Sequence, residues 1–568
     1  MKNIPQYLKE YIIEQNYDQY TPVDHACWRF IMRLNKAYFS KNAYHKYLEG
    51  LDKTGITINR IPKISDINRK LKNFGWSAVG VRGFLPPLIF MDFQAKGILP
   101  IACDMRSLEH LTYTPAPDIV HEAAGHSPMI ADSDYAEYLK YYGEIARKAI
   151  SSSEDYNLYL AIRDLSDVKE NPKSTDLGIK NSEQNLNNAI NAISYISEAA
   201  YLSRINWWTV EYGLIGNIDN PKIYGAGLLS SIAESENCLK DSVKKIPLTI
   251  DCMNYSYDIT EQQPQLFISE DFKSLNKILD EFSSNMAYKV GGLSGIDKAI
   301  QSKNICTVEL NSKLQISGKV EKKLNDNLDY LQFSGPTQIC YNNKQLEGHG
   351  IDRHPQGFGL PVGQLSNGIE IHQINTKKMI ELGYKVSNEA VFEFKSGIIV
   401  RGIVKDFFEE EDLIKIITLE KCEVKYQNQI LFDPNWGEYD MVCGTSVESV
   451  FGGPADMDSY FNDNKDQIGE LNSIVPESND NQNINSIYSE IRSIRENKKY
   501  DIDRLEKLSY ELSDNYPDEW LAKLEIYEIL YNQESNHLKQ LKESIFSRLN
   551  KESDLTKAIE KSLQLIEK

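Results

Sequence analysis

No stretch of this chain comes near 18 consecutive apolar residues, so a membrane-spanning helix is not expected. Lys9 and Glu10 stand where a secretory signal would need its apolar run. Cysteine is sparse, with eight in 568 residues, scattered and without a C-x-x-C pair. That spacing excludes a disulfide framework and suits reduced thiols in a cytoplasmic protein. Positive charge is also in deficit: 63 Lys and Arg against 82 Asp and Glu leave a net charge of −19. Such a balance argues against tracking nucleic-acid phosphates or anionic lipid. Core material is ample, at 41% hydrophobic residues with 33 Tyr and 19 Phe, and excludes a wholly disordered chain. The length suggests three or four domains at roughly 150 residues each.

Local patterns divide the chain. Around Asp24–Leu34 the apolar positions 27, 28, 30, 31 and 34 recur at helical spacing. Gly83-Phe84-Leu85-Pro86-Pro87 reads as a loop, because two prolines after a glycine continue neither strand nor helix. Residues 117–240 are mostly helical in pattern, apart from polar Ser166–Gln184, which reads as an exposed excursion. Near residue 305 the pattern changes to short β-type runs, such as Ala390–Phe394, Gly397–Val404 and Leu413–Leu419, expected to form a small sandwich or barrel. Val475–Asn483 is polar and breaker-rich. Beyond it, Leu505, Leu508, Leu512, Trp520, Leu521, Leu524, Tyr527, Leu530 and Tyr531 fall at three-and-four spacing, as in amphipathic helices. The expected layout is a mainly α catalytic domain over 1–305, with a polar insertion at about 150–195. A β-rich domain (306–465), a linker (466–485) and a C-terminal helical bundle or repeat (486–568) follow.

Chemistry concentrates in Pro115–Pro128, where Pro117-Asp118 starts a helix and Gly125 with Pro128 is a stop signal. His121-Glu122 opens a motif whose second histidine, His126, comes five residues on, not the four of the metalloprotease pattern. In an ideal α-helix a spacing of four leaves the imidazoles ~40° apart, and five splays them by ~140°. A helix broken at Gly125 is expected to let His126 swing back toward His121. A third ligand for iron should be a carboxylate, and Glu211 lies among the large apolar residues of Trp207–Leu214, where an unpaired charge is costly. A salt bridge to Arg204 is the other reading of Glu211.

These residues carry a resemblance. P-x-P-D-I-x-H-E-x-x-G-H at 115–126, W-x-T-V-E-Y-G-L at 207–214, Tyr224–Ser231, Gln263-Pro264 and Phe267–Phe272 resemble the pterin-dependent aromatic amino acid hydroxylases over roughly residues 15–300. The resemblance implies a largely helical catalytic domain holding one non-haem Fe(II) through His121, His126 and Glu211. It implies that a tetrahydropterin cosubstrate supplies two electrons, so that O2 is divided between the pterin and the ring of an aromatic amino acid. Gly83, Phe84, Leu85, Phe90 and Glu122 match its pterin contacts. Arg106, Thr114, Trp207 and Ser230 match its substrate contacts. Pro87 stands where animal members often have serine, and the separation of His126 from Glu211 exceeds theirs, hence the proposed surface insertion.

The expected activity is hydroxylation of free L-phenylalanine to L-tyrosine, with tryptophan or tyrosine hydroxylation as the alternative. A zinc hydrolase is a remote alternative that lacks the protease spacing. No nucleic-acid or membrane partner is expected. The C-terminal domains carry no second active site in their sequence and are read as an assembly module, a route to a homo-oligomer. Gly348–His354, a glycine-rich loop with two histidines, is a metal-ligating candidate against a plain polar loop.

Overall fold

The computed structural model describes residues 4–112, 117–170, 174–257, 262–462, 482–497, 501–533, 535–549 and 553–568. The catalytic region is built on the helix Pro22–Asn42. Thr21 caps it by accepting from the Asp24 amide while the Asp24 carboxylate accepts from the Thr21 amide, and Pro22 occupies the first helical turn. Its apolar face enters a large core with Trp28, Tyr47, Tyr138 and Trp208, all buried.

Two small sheets flank this helical mass. In one, Ile12–Ile13 pairs antiparallel with Ser77–Val81, which pairs parallel with Ile98–Ala102. The other runs in the order Lys222–Ile223, Leu214–Ile215, Gln265–Ser269, Lys244–Pro247. The strand Ser77–Val81 delivers the chain to the Gly83–Leu85 loop. That loop then turns into a helix, because Pro86 is the N-cap and Pro87 the first residue of Pro87–Ala95. Proline's fixed φ and missing N–H suit that position, so the doublet ends the loop rather than prolonging it.

The polar excursion is itself helical. Ser153–Glu170 and Asp176–Ala192 form a hairpin, with Thr175 accepting from the Gly178 amide at the second helix's start. The second helix buries none of its residues fully and half-buries a thin stripe, Ile179, Ser182, Leu186 and Ala189, among polar neighbours, so its sequence declares a helix only faintly. The first reaches back to the loop, where the Tyr159 hydroxyl donates to the Phe84 carbonyl at 3.0 Å.

From Ile305 onward two antiparallel sheets follow. The first contains Ile305–Leu310, Leu314–Leu324, Tyr330–Tyr341, Lys344–Gln345, Gly357–Pro361 and Val447–Gly452; the second contains Glu389–Glu393, Ile398–Glu410, Leu413–Tyr426, Gln429–Phe432 and Tyr439–Val442. All three sequence-read β runs lie in the second sheet. Alternating burial along Ile398–Val404 is the half-buried pattern expected of an antiparallel strand.

The C-terminal helices Gln482–Asn497, Ile502–Asn515, Trp520–Tyr531, Leu538–Phe546 and Asp554–Ile566 do not stand apart. Their buried side chains join the same core cluster as Trp28 and Phe30. Trp520 meets the Phe30 ring edge-on at 5.1 Å, and Glu525 and Glu528 pair with Arg29 and Arg33 of the Pro22–Asn42 helix.

Candidate metal centre

Asp118 starts the turn that carries His121: its Oδ1 accepts from the His121 amide at 3.0 Å. The turn Val120–His126 is a π-helix that runs straight into the α-helix Ser127–Ile130. The expected break at Gly125 is therefore absent. In a π turn the backbone bond closes on the fifth residue, as Ser127 N–H to Glu122 O does here, so a residue and its fifth neighbour sit one above the other. That removes the splay an α-helix would impose and brings His126 beside His121 without any break. Gly125 serves closeness instead: a Cβ there would lie 2.7 Å from the Ala226 carbonyl oxygen. The absent side chain lets Ala226–Ser230 pack against the π turn. Glu211 closes a second π turn, Trp207–Glu211, in which the Tyr212 amide donates to the Trp207 carbonyl at 2.8 Å.

Three donors converge from these turns. His121 Nε2 lies 3.2 Å from His126 Nε2 and 3.3 Å from Glu211 Oε2, and His126 Nε2 lies 3.4 Å from Glu211 Oε1. The Arg204 alternative for Glu211 has no such bond: the Arg204 guanidinium donates to the Met253 carbonyl. Burial lowers the His121 pKa, but the adjoining Glu211 carboxylate outweighs it and lifts the imidazole to about 9 without a metal. Burial likewise raises Glu211, and the two imidazoles overturn that and hold it well below the usual carboxylate range.

Hydrogen bonding fixes the His121 tautomer. The Ser230 hydroxyl donates to the Ala226 carbonyl at 2.8 Å, so at 3.0 Å from His121 Nδ1 it accepts the ring N–H. Nε2 then keeps its lone pair for a metal. Ser230 therefore touches His121, a contact beside the substrate contact that the resemblance gives it. Ser230→Ala should weaken iron binding by about 10–100-fold, the usual cost of removing a partner that orients a metal ligand. Equilibrium iron titration of the variant checks this, and unchanged affinity would mean that ring packing alone orients His121.

Glu122 is 5% exposed, and burial raises its carboxyl pKa, with the two histidines opposing. Its Oε2 is buried without a hydrogen-bond partner, 3.9 Å from His126 Nε2. An orphaned buried oxygen beside the triad fits a further group bound there. Arg106 is buried, at 2% exposed. Its Nε and Nη2 form a two-pronged bond to Asp118 at 2.7 and 2.9 Å, while Nη1 donates to the Ser230 carbonyl at 3.2 Å. Of its five N–H groups, three bond to described residues, and no described residue accepts from the other two, on the terminal nitrogens. Asp118, which sequence reasoning read only as a helix start, is held ionised by Arg106 against the effect of burial. It ties the helix start to the arginine.

Trp207 stacks on Tyr212 and Tyr257, at ring separations of 4.5 and 4.3 Å. Those two tyrosines engage its ring faces, a contact that no local pattern announced. Gly83 adopts φ +52, which favours glycine, and Phe84, Leu85 and Phe90 are half-buried. Thr114 lies outside the described residues.

Against known families, residues 7–162 and 185–331 match the model of the biopterin-dependent aromatic amino acid hydroxylases. The chain belongs to that family. The unmatched gap falls inside the polar helical hairpin, and the match runs on into the first β strands. The phenylalanine-4-hydroxylase of Chromobacterium violaceum is 28% identical over 270 residues, covering 47% of this chain and 76% of that one. That of Pseudomonas aeruginosa is 26% identical over 278 residues, covering 49% and 89%. A crystal structure of the C. violaceum enzyme with iron(III) and 7,8-dihydrobiopterin aligns at 25% identity, covering 49% of this chain and 92% of that one, with a TM-score of 0.38. A zinc hydrolase has no support. Among the described residues no helix is long and apolar enough to cross a membrane.

Proposed function

We propose that the chain is a monooxygenase that hydroxylates the ring of free L-phenylalanine to give L-tyrosine, using Fe(II), a tetrahydropterin and O2. The observation that carries this reading is the convergence of His121 Nε2, His126 Nε2 and Glu211 within a single ligand sphere. Two imidazoles and one carboxylate suit iron and leave positions open, which a closed four-ligand structural site would not. Iron and the pterin, when bound, supply the redox chemistry that activates dioxygen.

The protein's part is positioning. Ser230 fixes the His121 ring, and Asp118 holds Arg106 with two N–H groups still to give. A planar fork with free donors suits the carboxylate of an amino acid. Glu122, with its partnerless oxygen, would take the polar edge of the pterin. The Gly83–Leu85 loop and Phe90 would hold the pterin's flat ring, and Trp207, braced by its tyrosines, would bound the aromatic pocket. Thr114 is assigned to the substrate by family resemblance alone. The relatives, both phenylalanine-4-hydroxylases, favour phenylalanine. We assign the cytoplasm as its location, as the reduced thiols suggest.

The direct test is to supply the iron-loaded protein with tetrahydropterin and each aromatic amino acid in turn and identify the product. Tyrosine from phenylalanine supports the proposal; hydroxylation of tryptophan or tyrosine alone would replace the substrate, and no product would remove it.

Arg106→Lys separates substrate holding from simple structure. Lysine keeps the charge but loses the fork, and charge-assisted bonds are worth about 1.5–3 kcal/mol each. The amino acid KM should rise roughly ten- to a hundredfold, with the pterin KM little changed. Pterin oxidation should also outrun hydroxylation, because a misplaced ring is missed. Unchanged KM and coupling would free Arg106 from that role.

A further inference from the structure

A second cluster of ligand-type side chains lies in the β-rich part. We propose that His349, His354 and Asp440 bind a divalent transition-metal ion of the zinc class and so clamp the two β-sheets together. The histidines sit on the loop between Lys344–Gln345 and Gly357–Pro361 of the first sheet, and Asp440 is on Tyr439–Val442 of the second.

The loop is anchored. The His349 carbonyl accepts from the Ile339 amide at 3.0 Å and the His354 carbonyl from the Thr337 amide at 3.1 Å, both donors on the strand Tyr330–Tyr341. Both rings are held near one oxygen: His354 Nε2 is 3.4 Å and His349 Nδ1 3.8 Å from Asp440 Oδ2. The side chains are 9%, 12% and 0% exposed for His354, His349 and Asp440. Neither ring nitrogen has a hydrogen-bond partner, although both are buried.

A histidine kept for packing normally spends its nitrogens on a carbonyl or on water. Two unpartnered nitrogens facing one carboxylate oxygen form a ready donor set for a cation. The three donor atoms lie within 4.8 Å of one another. Metal bonds of about 2.0–2.2 Å put such donors roughly 3–3.6 Å apart, so small ring rotations close the site. Two imidazoles and a carboxylate without thiolate suit zinc and its first-row neighbours over calcium or magnesium.

Charge around Asp440 fits a supported ligand. Oδ1 accepts from the Thr418 hydroxyl at 2.7 Å and from Arg353 Nη2 at 3.2 Å, and Oδ2 accepts from Arg353 Nε at 2.9 Å. Oδ2 still has a lone pair to offer. The cost is the Arg353 charge beside a cation. Glu438, 2.8 Å from Arg353, offsets it, although Glu438 also pairs with Lys405.

Metal counting on the full chain tests the proposal independently of the catalytic reading, because each site is removed through its own histidines. After chelation, dialysis against buffered micromolar Zn2+ should leave about two equivalents on the wild type, and about one on either His349→Gln/His354→Gln or His121→Ala/His126→Ala. Zn2+ should also raise the thermal midpoint of the His121→Ala/His126→Ala protein. Should the first double variant misfold, this midpoint shift and the single His349→Gln variant, with its count reduced, decide the matter. A His121→Ala/His126→Ala protein that takes up no zinc, or one whose zinc survives removal of His349 and His354, overturns the clamp.

Discussion

His121→Ala, His126→Ala and Glu211→Ala should each lose iron and nearly all ring hydroxylation. Each removes one of three donors from a site with no fourth protein ligand among the described residues, so the remaining pair holds the metal weakly. The loss should be steepest for Glu211, the only carboxylate in the set. Without it the two imidazoles, 3.2 Å apart at Nε2, face a cation with only Glu122, 3.9 Å from His126 Nε2, to offset its charge. Iron content by elemental analysis and product formation check the three together. If any variant keeps full iron and wild-type turnover, the assignment fails. Loss of iron with an unchanged fold, seen by circular dichroism, separates ligand removal from collapse. That control matters most for the buried His126.

The site was legible because its chemistry is written in contiguous motifs. His121-Glu122 and Glu211 stood out as polar residues among apolar ones, and a carboxylate in such a setting demands a partner. What the sequence did not disclose was the backbone that joins them. Five-residue spacing was read against the α-helix, which led to an expected break at Gly125. The π turn solves the same problem without breaking, and Gly125 is explained by Ala226, a hundred residues away and invisible locally. Asp118 was missed as a functional residue for a related reason. A helix-start aspartate looks ordinary until Arg106 is seen folded onto it.

The polar hairpin shows the opposite limit. Asp176–Ala192 buries no residue fully and half-buries Ile179, Ser182, Leu186 and Ala189, so hydrophobic periodicity, the strongest sequence signal for a helix, is weak there. In the C-terminal part periodicity was read correctly, and Leu505, Leu508, Leu512, Leu521 and Leu524 are all buried. Periodicity names the face and not what covers it. The apolar face of these helices packs inside the chain: the helix Trp520–Tyr531 buries nearly all its residues, Lys523 and Glu525 included.

Removing the C-terminal helices should therefore cost the catalytic region its fold or its solubility, even though the change of composition near residue 305, taken alone, invites a boundary there. The helices Gln482–Asn497, Trp520–Tyr531 and Asp554–Ile566 all pack on Pro22–Asn42. That helix also reaches the site region, where the Asn35 side-chain amide donates to the Leu229 carbonyl one residue before Ser230. Each large apolar side chain uncovered forfeits about 1.5–3 kcal/mol. Net stabilities of domains are only about 5–15 kcal/mol, so a few such losses decide the outcome. Phe30 alone would lose Trp520 and present a fresh apolar patch to water. A chain ending near residue 465 should accordingly be insoluble or inactive, and supplying residues 482–568 as a separate chain should restore part of the activity. The ion cluster gives the finer test. Glu525 pairs with Arg29 at 3.1 Å and with Arg495, nearly out of water, so Glu525→Gln leaves buried positive charge short of a partner. Breaking such a pair costs about 3–5 kcal/mol, with Glu528 recovering a share through Arg29 and Arg33. Thermal inactivation of hydroxylation should come earlier in the variant, while its amino acid KM at low temperature stays at the wild-type value. A soluble, fully active chain ending near 465, together with a neutral Glu525→Gln, would show that the helices merely rest on the catalytic region.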